Sequence, residues 1–455
     1  MVKKLVKDAL DLFKGNQKDL SNQTTQIDYT LNGTKSVERI YIPGNVVVYG
    51  KGLAYEHREM EKLESSFLNL RPRYFIDVNP NSGFIGYGGT GVVFHGKIDI
   101  PDFNLKRLEL HPVQYQNLLN LYSAYKKENG EYENTFAIKI LRPDVVESLD
   151  PTGKKNLIRN FNNEAHTLDK LSHVLPDCIT KIYDYGQLEG NDKNYHYMAL
   201  EEMSPYTLEK IITGVSPEEV GQMTSETDSS SKYEFSINSK WQLVEMICNK
   251  LAKIHNLYND PENKIAHRDI KPQNILCSKG TKIKLYKDGW RFQRGLDIKF
   301  GDLGLVKWLG FNANEENEIL GTYDYMSYEQ LTNPSEVDYK TDIFSMGLVL
   351  YQLINGVNPR YSMDYMRMAR LDFLEGEIDK SEYESVLKSH KIKINTNPDD
   401  KRFKLFNEMI FNMIRMNPEE RISMNDVCAM IPEIVKQYNT EKGLNILSRL
   451  PILTL

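Results

Sequence analysis

The sequence predicts an α+β protein of two unlike halves, a smaller β-rich half followed by a larger, mainly helical one. Three observations carry that expectation. Residues 84–98, FIGYGGTGVVFHGKI, and 132–141, YENTFAIKIL, are short apolar runs punctuated by glycines and polar turns, so they read as strands. In 156–171, NLIRNFNNEAHTLDKL, the residues Phe161, Ala165, Leu168 and Leu171 recur at steps of three and four, which defines one buried helix face. After a further strand, YHYMALEEM at 195–203, the chain beyond Ser204 reads as mainly helical.

Taken in order, residues 1–80 read as an N-terminal extension whose role the residues do not state. Residues 81–203 form the β-rich part, with a polar, helix-prone insertion at about 99–134. Residues 204–440 form the helical part, and 441–455 a tail. The Ser- and acid-rich run SPEEVGQMTSETDSSSKYE at 216–234 reads as an exposed loop. KIKLYKDGWRFQRGLDIKF at 282–300 suits a hairpin joined at Asp288-Gly289.

Composition excludes several classes. At 455 residues and 40% hydrophobic content the chain can bury a large core, and a formal charge of −6 gives no basis for a nucleic-acid partner. No apolar run approaches the roughly 18 residues needed to span a bilayer, and the charges within MVKKLVKDALDLFKGN argue against a signal peptide. A cytoplasmic location is expected. The cysteines Cys178, Cys248, Cys277 and Cys428 are too far apart for a disulfide framework and read as reduced thiols.

The chemistry concentrates in a few stretches. Gly86, Gly88, Gly89 and Gly91, followed by Val93, leave backbone N–H groups open to phosphate oxygens. The strand that follows rules out a dinucleotide turn, which needs a helix there, although a purely conformational hairpin fits the glycines equally well. Lys139, two residues after Ala137 in an apolar strand, needs an anionic partner if it is buried, and Glu164 is available on the helix. Read singly, each of these residues is more simply a surface side chain. In AHRDIKPQNIL, 266–276, Pro272 interrupts the segment and makes it a loop. Asp269 can take a hydroxyl proton there, Lys271 can neutralise a phosphoryl group, and Asn274 can offer oxygen to a hard cation. Asp302, before Gly304, is a second candidate metal ligand.

In this order the motifs resemble those of the eukaryotic-type serine/threonine protein kinase family: GxGxxGxV at 86–93, AIK at 137–139, Glu164, HRDxKxxN at 267–274 and DLG at 302–304. The resemblance spans about 84–435 and continues through GTYDYMSYEQ, the helix bearing Asp342, and Arg421, which in that family pairs with the residue corresponding to Glu329. It implies a bilobal fold with ATP between the lobes, and Mg²⁺, with Mn²⁺ as an alternative, held by Asn274 and Asp302. Asp269 would be the catalytic base, Lys271 would steady the γ-phosphate, and Lys139 with Glu164 would position the nucleotide. Leu200, Glu201 and Met203 would line the adenine site. Lys271 and Thr322 resemble the serine/threonine subgroup, in which Asp269, Lys271 and Thr322 would share one hydrogen-bonded cluster.

Departures from the family pattern matter as well. Leu303 stands where phenylalanine is common, and Ser-Tyr-Glu replaces Ala-Pro-Glu at 327–329. Residues 305–320, LVKWLGFNANEENEIL, contain no serine, threonine or tyrosine, so activity without phosphorylation there is expected, with Glu315, Glu316 or Glu318 as a standing anionic partner for Arg268. A catalytically silent scaffold would lack Lys139, Asp269, Asn274 or Asp302. A small-molecule kinase of related fold would lack the run from Thr322 to Glu329 with Asp342 and Arg421. All of these residues are present. The expected partner is a protein bearing a serine or threonine acceptor; the residues leave oligomeric state open.

Overall fold

A computed structural model describes residues 73–76, 84–87, 91–99, 135–141, 143–189, 194–220, 231–257, 264–304, 307–308, 321–356, 358–359, 368–369, 372–373, 375–389 and 401–441. The expectations for most of the N-terminal extension, for the body of the insertion after Asp99, for Gly88 and Gly89, for Glu315 to Glu318 and for the end of the tail fall outside these residues. The chain divides into two compact units, residues 1–176 with 180–203, and residues 177–179 with 204–455.

The first unit is built on a six-stranded antiparallel sheet. Its strands are β1 (Arg73–Ile76), β2 (Phe84–Tyr87), β3 (Gly91–Asp99), β4 (Thr135–Leu141), β5 (Ile182–Glu189) and β6 (Asn194–Glu201), in the order β1-β3-β4-β6-β5, with β2 also on β3. β4 is central, and every residue from Phe136 to Leu141 is buried, which explains why its run is apolar except for Lys139. Helix α1 (Pro143–Ser148) leads into α2 (Pro151–Val174). α2 begins five residues before the periodic run because Asp150 caps it, accepting from Gly153 N at 2.6 Å, with Pro151 in the first turn. Phe161, Ala165, Leu168 and Leu171 are its buried stripe. Each large apolar side chain there contributes about 1.5–3 kcal/mol by leaving water.

The second unit is mainly helical. β7 (Met203–Thr207) carries the chain into it, followed by α3 (Leu208–Thr213), α4 (Pro217–Val220) and α5 (Ile237–His255), the last capped by Ser236. Short strands come next: β8 (Ile265–Ala266), β9 (Ile275–Ser278), β10 (Lys282–Tyr286), β11 (Gly289–Arg294), β12 (Ile298–Phe300) and β13 (Lys307–Trp308). Further α-helices among the described residues are α6 (Tyr328–Thr332), α7 (Lys340–Asn355), α8 (Lys380–Ser389), α9 (Lys404–Met413) and α10 (Met424–Glu441). α7 is buried on nearly all sides, as its apolar composition dictates, and ends at Gly356 in the left-handed conformation with φ 79°. A Cβ on Gly347 of α7 would stand 2.8 Å from Ile414 Cγ2, so glycine is what lets the chain just beyond α9 approach so closely.

The hairpin of β10 and β11 differs from the sequence expectation by one residue. Tyr286 pairs with Gly289, so the turn residues are Lys287 and Asp288. Gly289 is needed for another reason: its φ is 112°, and a Cβ there would meet Glu234 O at 2.4 Å.

Candidate functional site

The loop from His267 to Asn274 is held from beneath by Asp342. This carboxylate, 0% exposed in the first turn of α7, accepts from His267 N at 2.8 Å and Arg268 N at 2.9 Å, and lies 3.1 Å from His255 Nε2. A buried carboxylate is tolerable only with such partners. Arg268 adopts φ 65°, a left-handed conformation that costs a non-glycine residue about 1–2 kcal/mol. Its carbonyl is held in turn by Gln330 Nε2 at 2.9 Å.

That clamped peptide presents Asp269. Its Oδ1 accepts from Thr322 Oγ1 at 2.9 Å, and its Oδ2 accepts from Lys271 Nζ at 2.7 Å and Asn274 Nδ2 at 3.1 Å. Lys271 Nζ also donates to Thr322 Oγ1 at 2.9 Å, and Asn274 Nδ2 to Asp269 O at 2.9 Å. Asp269 is thus oriented by three donors, one of them an ammonium, and is 8% exposed. A carboxylate in this setting can receive a hydroxyl proton while the neighbouring ammonium balances added negative charge.

Asp302 is brought beside Asn274 by the sheet. β9 and β12 pair antiparallel with Phe300 opposite Ile275, and Gly301 N donates to Asn274 O at 2.9 Å. His267 Nε2, 3.2 Å from Gly301 O, must be the donor there, since a carbonyl only accepts. Asp302 itself has φ 56° and an exposed side chain, and the buried Leu303 anchors the turn. With Asn274 Nδ2 turned toward Asp269, the amide oxygen faces the other way. An amide oxygen and a carboxylate on adjacent strand ends offer hard-oxygen donors, which suit a hard divalent cation completed by phosphate and water oxygens.

In the first unit, Lys139 Nζ donates to Glu164 Oε1 at 2.6 Å, with both residues buried. Val93 lies opposite Lys139, and Ala137 opposite Leu200. Gly91 is required sterically: a Cβ there would stand 2.8 Å from Lys139 Cε and 3.1 Å from its Cγ. This is a different reason for the glycine from open backbone N–H groups. Gly86 pairs with Val93, while Leu200, Glu201 and Met203 are half-buried. Glu201 accepts from Lys181 N at 3.2 Å.

Some of the site was not visible in the sequence. Gln330 is one such residue, and Glu209 is another: from α3 it accepts from Gln273 Nε2 at 2.7 Å, placing an acid beside the uncharged Gln273 of the loop. Nucleophilic cysteine chemistry finds no support here. Burial pushes the Cys277 thiol up to about 12 and Cys428 to about 11, and raises Cys178 and Cys248 as well.

Fold and site together define a phosphoryl-transfer protein of α+β construction. The protein kinase domain family matches residues 121–431, and the chain belongs to that family. It is similar to the serine/threonine-protein kinase PrkC of Bacillus subtilis (strain 168), with 27% identity over 238 residues, covering 52% of this chain and 29% of that protein. It is also similar to the serine/threonine-protein kinase PknB of Mycolicibacterium smegmatis, with 26% identity over 223 residues, covering 49% of this chain and 28% of the relative. The match therefore spans under a third of the length of these curated relatives. A protein kinase domain uses ATP with a divalent cation. Among the described residues no helix is long and apolar enough to cross a membrane.

Proposed function

We propose that the chain is a serine/threonine protein kinase that moves the γ-phosphoryl of ATP to a hydroxyl of a protein substrate in the cytoplasm. The observation that carries this reading is the cluster in which Thr322, Lys271 and Asn274 all donate to the Asp269 carboxylate. In this reading Asp269 orients the acceptor hydroxyl and receives its proton. Lys271 balances charge on the phosphoryl oxygens, and Thr322 keeps both side chains in place. Asn274 and Asp302 hold Mg²⁺, or Mn²⁺, which when bound neutralises the phosphates. Lys139, kept extended by Glu164, holds the nucleotide phosphates together with Gly86, Gly88, Gly89, Gly91 and Val93. Ala137, Leu200, Glu201 and Met203 take the adenine. Most of the acceleration comes from positioning and fixed charge, because phosphoryl transfer needs little covalent help.

The assignment of residues 81–203 and 204–440 as the two kinase lobes, flanked by accessory segments, belongs to the same proposal. So does activity without loop phosphorylation, which rests on the lack of serine, threonine and tyrosine at 305–320. The test is radiolabel transfer from Mg²⁺-ATP to a mixed protein substrate by phosphatase-treated, bacterially made chain, followed by phosphoamino-acid analysis. Phosphoserine and phosphothreonine are expected. Label confined to tyrosine would overturn the subgroup, and loss of all transfer on phosphatase treatment would overturn independence from phosphorylation.

A further inference from the structure

The hairpin of β10 and β11 takes no part in the reaction proposed above, yet it is firmly built. Trp290 is fully buried, its Nε1 donates to Val215 O at 2.8 Å, and its carbonyl accepts from Ser236 N at 2.9 Å. Phe292 lies against Phe235 with ring centroids 5.0 Å apart. The inner face is therefore an anchor that fixes the outer face as a platform.

That outer face is basic. Between Lys279 and Arg294 the sequence has six basic residues and one acid, in a chain whose net charge is −6. Lys282, Lys284 and Tyr286 of β10 and Arg291 and Arg294 of β11 are exposed, as is Lys287 at the turn. The acid, Asp288, is held by Arg291 through Nε at 3.2 Å and a terminal nitrogen at 2.8 Å. Among the described residues, Lys282, Lys284, Lys287 and Arg294 have no ion-pair partner. Lysines on an edge strand discourage sheet-to-sheet pairing. This accounts for Lys282 and Lys284 but not for Arg294 and Arg291 on the other strand, next to the bridge between Trp290 and Phe235.

We propose that this face is a docking surface for an extended acidic segment of a protein partner, with carboxylates at alternate residues. Lys282 and Lys284 are two residues apart and so project about 6.8 Å from each other, the interval at which alternate side chains of an extended peptide repeat. Arg291 lies opposite Lys284 and, across a register shift between Lys282 and Ile283, Arg294 lies opposite Lys282, so both strands carry cations on the exposed side of the hairpin. A single strand of nucleic acid would need an open aromatic face for stacking. The ring of Tyr286 is instead taken up by Lys284 Nζ at 5.8 Å and Arg291 Cζ at 4.8 Å, and its hydroxyl accepts from Gln293 Nε2 at 3.1 Å. The geometry thus favours a carboxylate-bearing polypeptide.

The test is fluorescence anisotropy of the full chain with a fluorescein-labelled peptide of alternating glutamate and serine, about twelve residues long. Saturable binding that weakens with added salt is expected. K282E/K284E/R294E should weaken it by about tenfold or more, and K282Q/K284Q/R294Q, which keeps the fold under the least perturbation, by about threefold or more. K401E/K404E/K436E, an equal change of charge at exposed positions elsewhere, should leave it within about twofold. Absence of binding to the unmodified chain, or equal losses in both charge-reversed variants, would overturn the proposal. So would tighter binding of an oligothymidylate that is lost in the hairpin variants, since that would make the face a nucleic-acid platform.

Discussion

Gln330 holds the carbonyl of Arg268: its Nε2 donates to that oxygen at 2.9 Å, while its Oε1 accepts from Ser327 N at 3.0 Å and Thr341 Oγ1 at 2.7 Å. With Asp342 bonded to Arg268 N, a left-handed residue adjacent to Asp269 is gripped on both sides. Gln330 at 3% exposure has no route to solvent, so replacing it orphans several buried polar groups at once. Gln330→Leu should cost about 2–3 kcal/mol in urea unfolding and lower kcat about tenfold through misplacement of Asp269. The KM for ATP should change much less. A KM effect that outweighs the kcat effect would place the influence of Gln330 elsewhere.

The bidentate pair of Arg421 and Glu329, at 2.5 and 2.7 Å, is closed on the Arg421 side by the carbonyls of Arg415, Lys340 and Met416. Removing one partner strands the other in a nearly dry place. Arg421→Ala should destabilise by about 3–5 kcal/mol, while Glu329→Leu combined with Arg421→Met should cost clearly less than either substitution alone. Chemical denaturation of Arg421→Ala, of the double variant and of its two single substitutions reads these differences; additive losses in the double variant would contradict the pairing account.

Gly91→Ala tests the steric reading of β3. The new methyl would crowd the Lys139 stem, which its bond to Glu164 prevents from moving aside. Thermal melting should show a loss of about 1–3 kcal/mol in the wild-type background. In a Lys139→Ala background the same substitution should be close to neutral. A loss of equal size in both backgrounds would show that Lys139 is not what Gly91 accommodates.

Burial holds the Asp338 carboxyl above the ordinary aspartate value of 3.8, against the opposing bond from Lys340 N and the Lys340 charge. An acid whose pKa is raised on folding favours the fold while protonated. Its contribution is complete below 3.8 and is lost as pH rises through the folded value. Asp338→Asn, which can still accept from Lys340 N, should therefore raise Tm at neutral pH, and the gain should vanish in acid. A gain that persists below the ordinary aspartate range would show that ionisation is not its cause.

Contiguous chemistry was the most legible part of this chain. HRDxKxxN carries its residue types within eight positions, and loop closure by a proline leaves those side chains little choice of neighbourhood. Lys139 and Glu164 were legible for a different reason: a cation inside an apolar strand and an acid on a helix beside its apolar stripe each need the other. Gln330 was not legible. An uncharged amide that bonds a backbone carbonyl 62 residues away leaves no mark in hydropathy or periodicity. The hairpin turn was misplaced by one residue because a positive-φ glycine signals a turn just as well as a close approach to Glu234. The start of α2 was missed because its first turn is polar and rests on the Asp150 cap rather than on burial.

In the proposed reaction Asp269 receives the acceptor proton within a cluster that Thr322, Lys271 and Asn274 hold in place. Asp269→Asn keeps the shape and one accepting oxygen while removing the base. Its phosphoryl transfer from Mg²⁺-ATP should fall by about 10²–10⁴, with ATP affinity, read by equilibrium binding, close to that of the unmodified chain. Transfer that proceeds at the unmodified rate in Asp269→Asn would contradict the account.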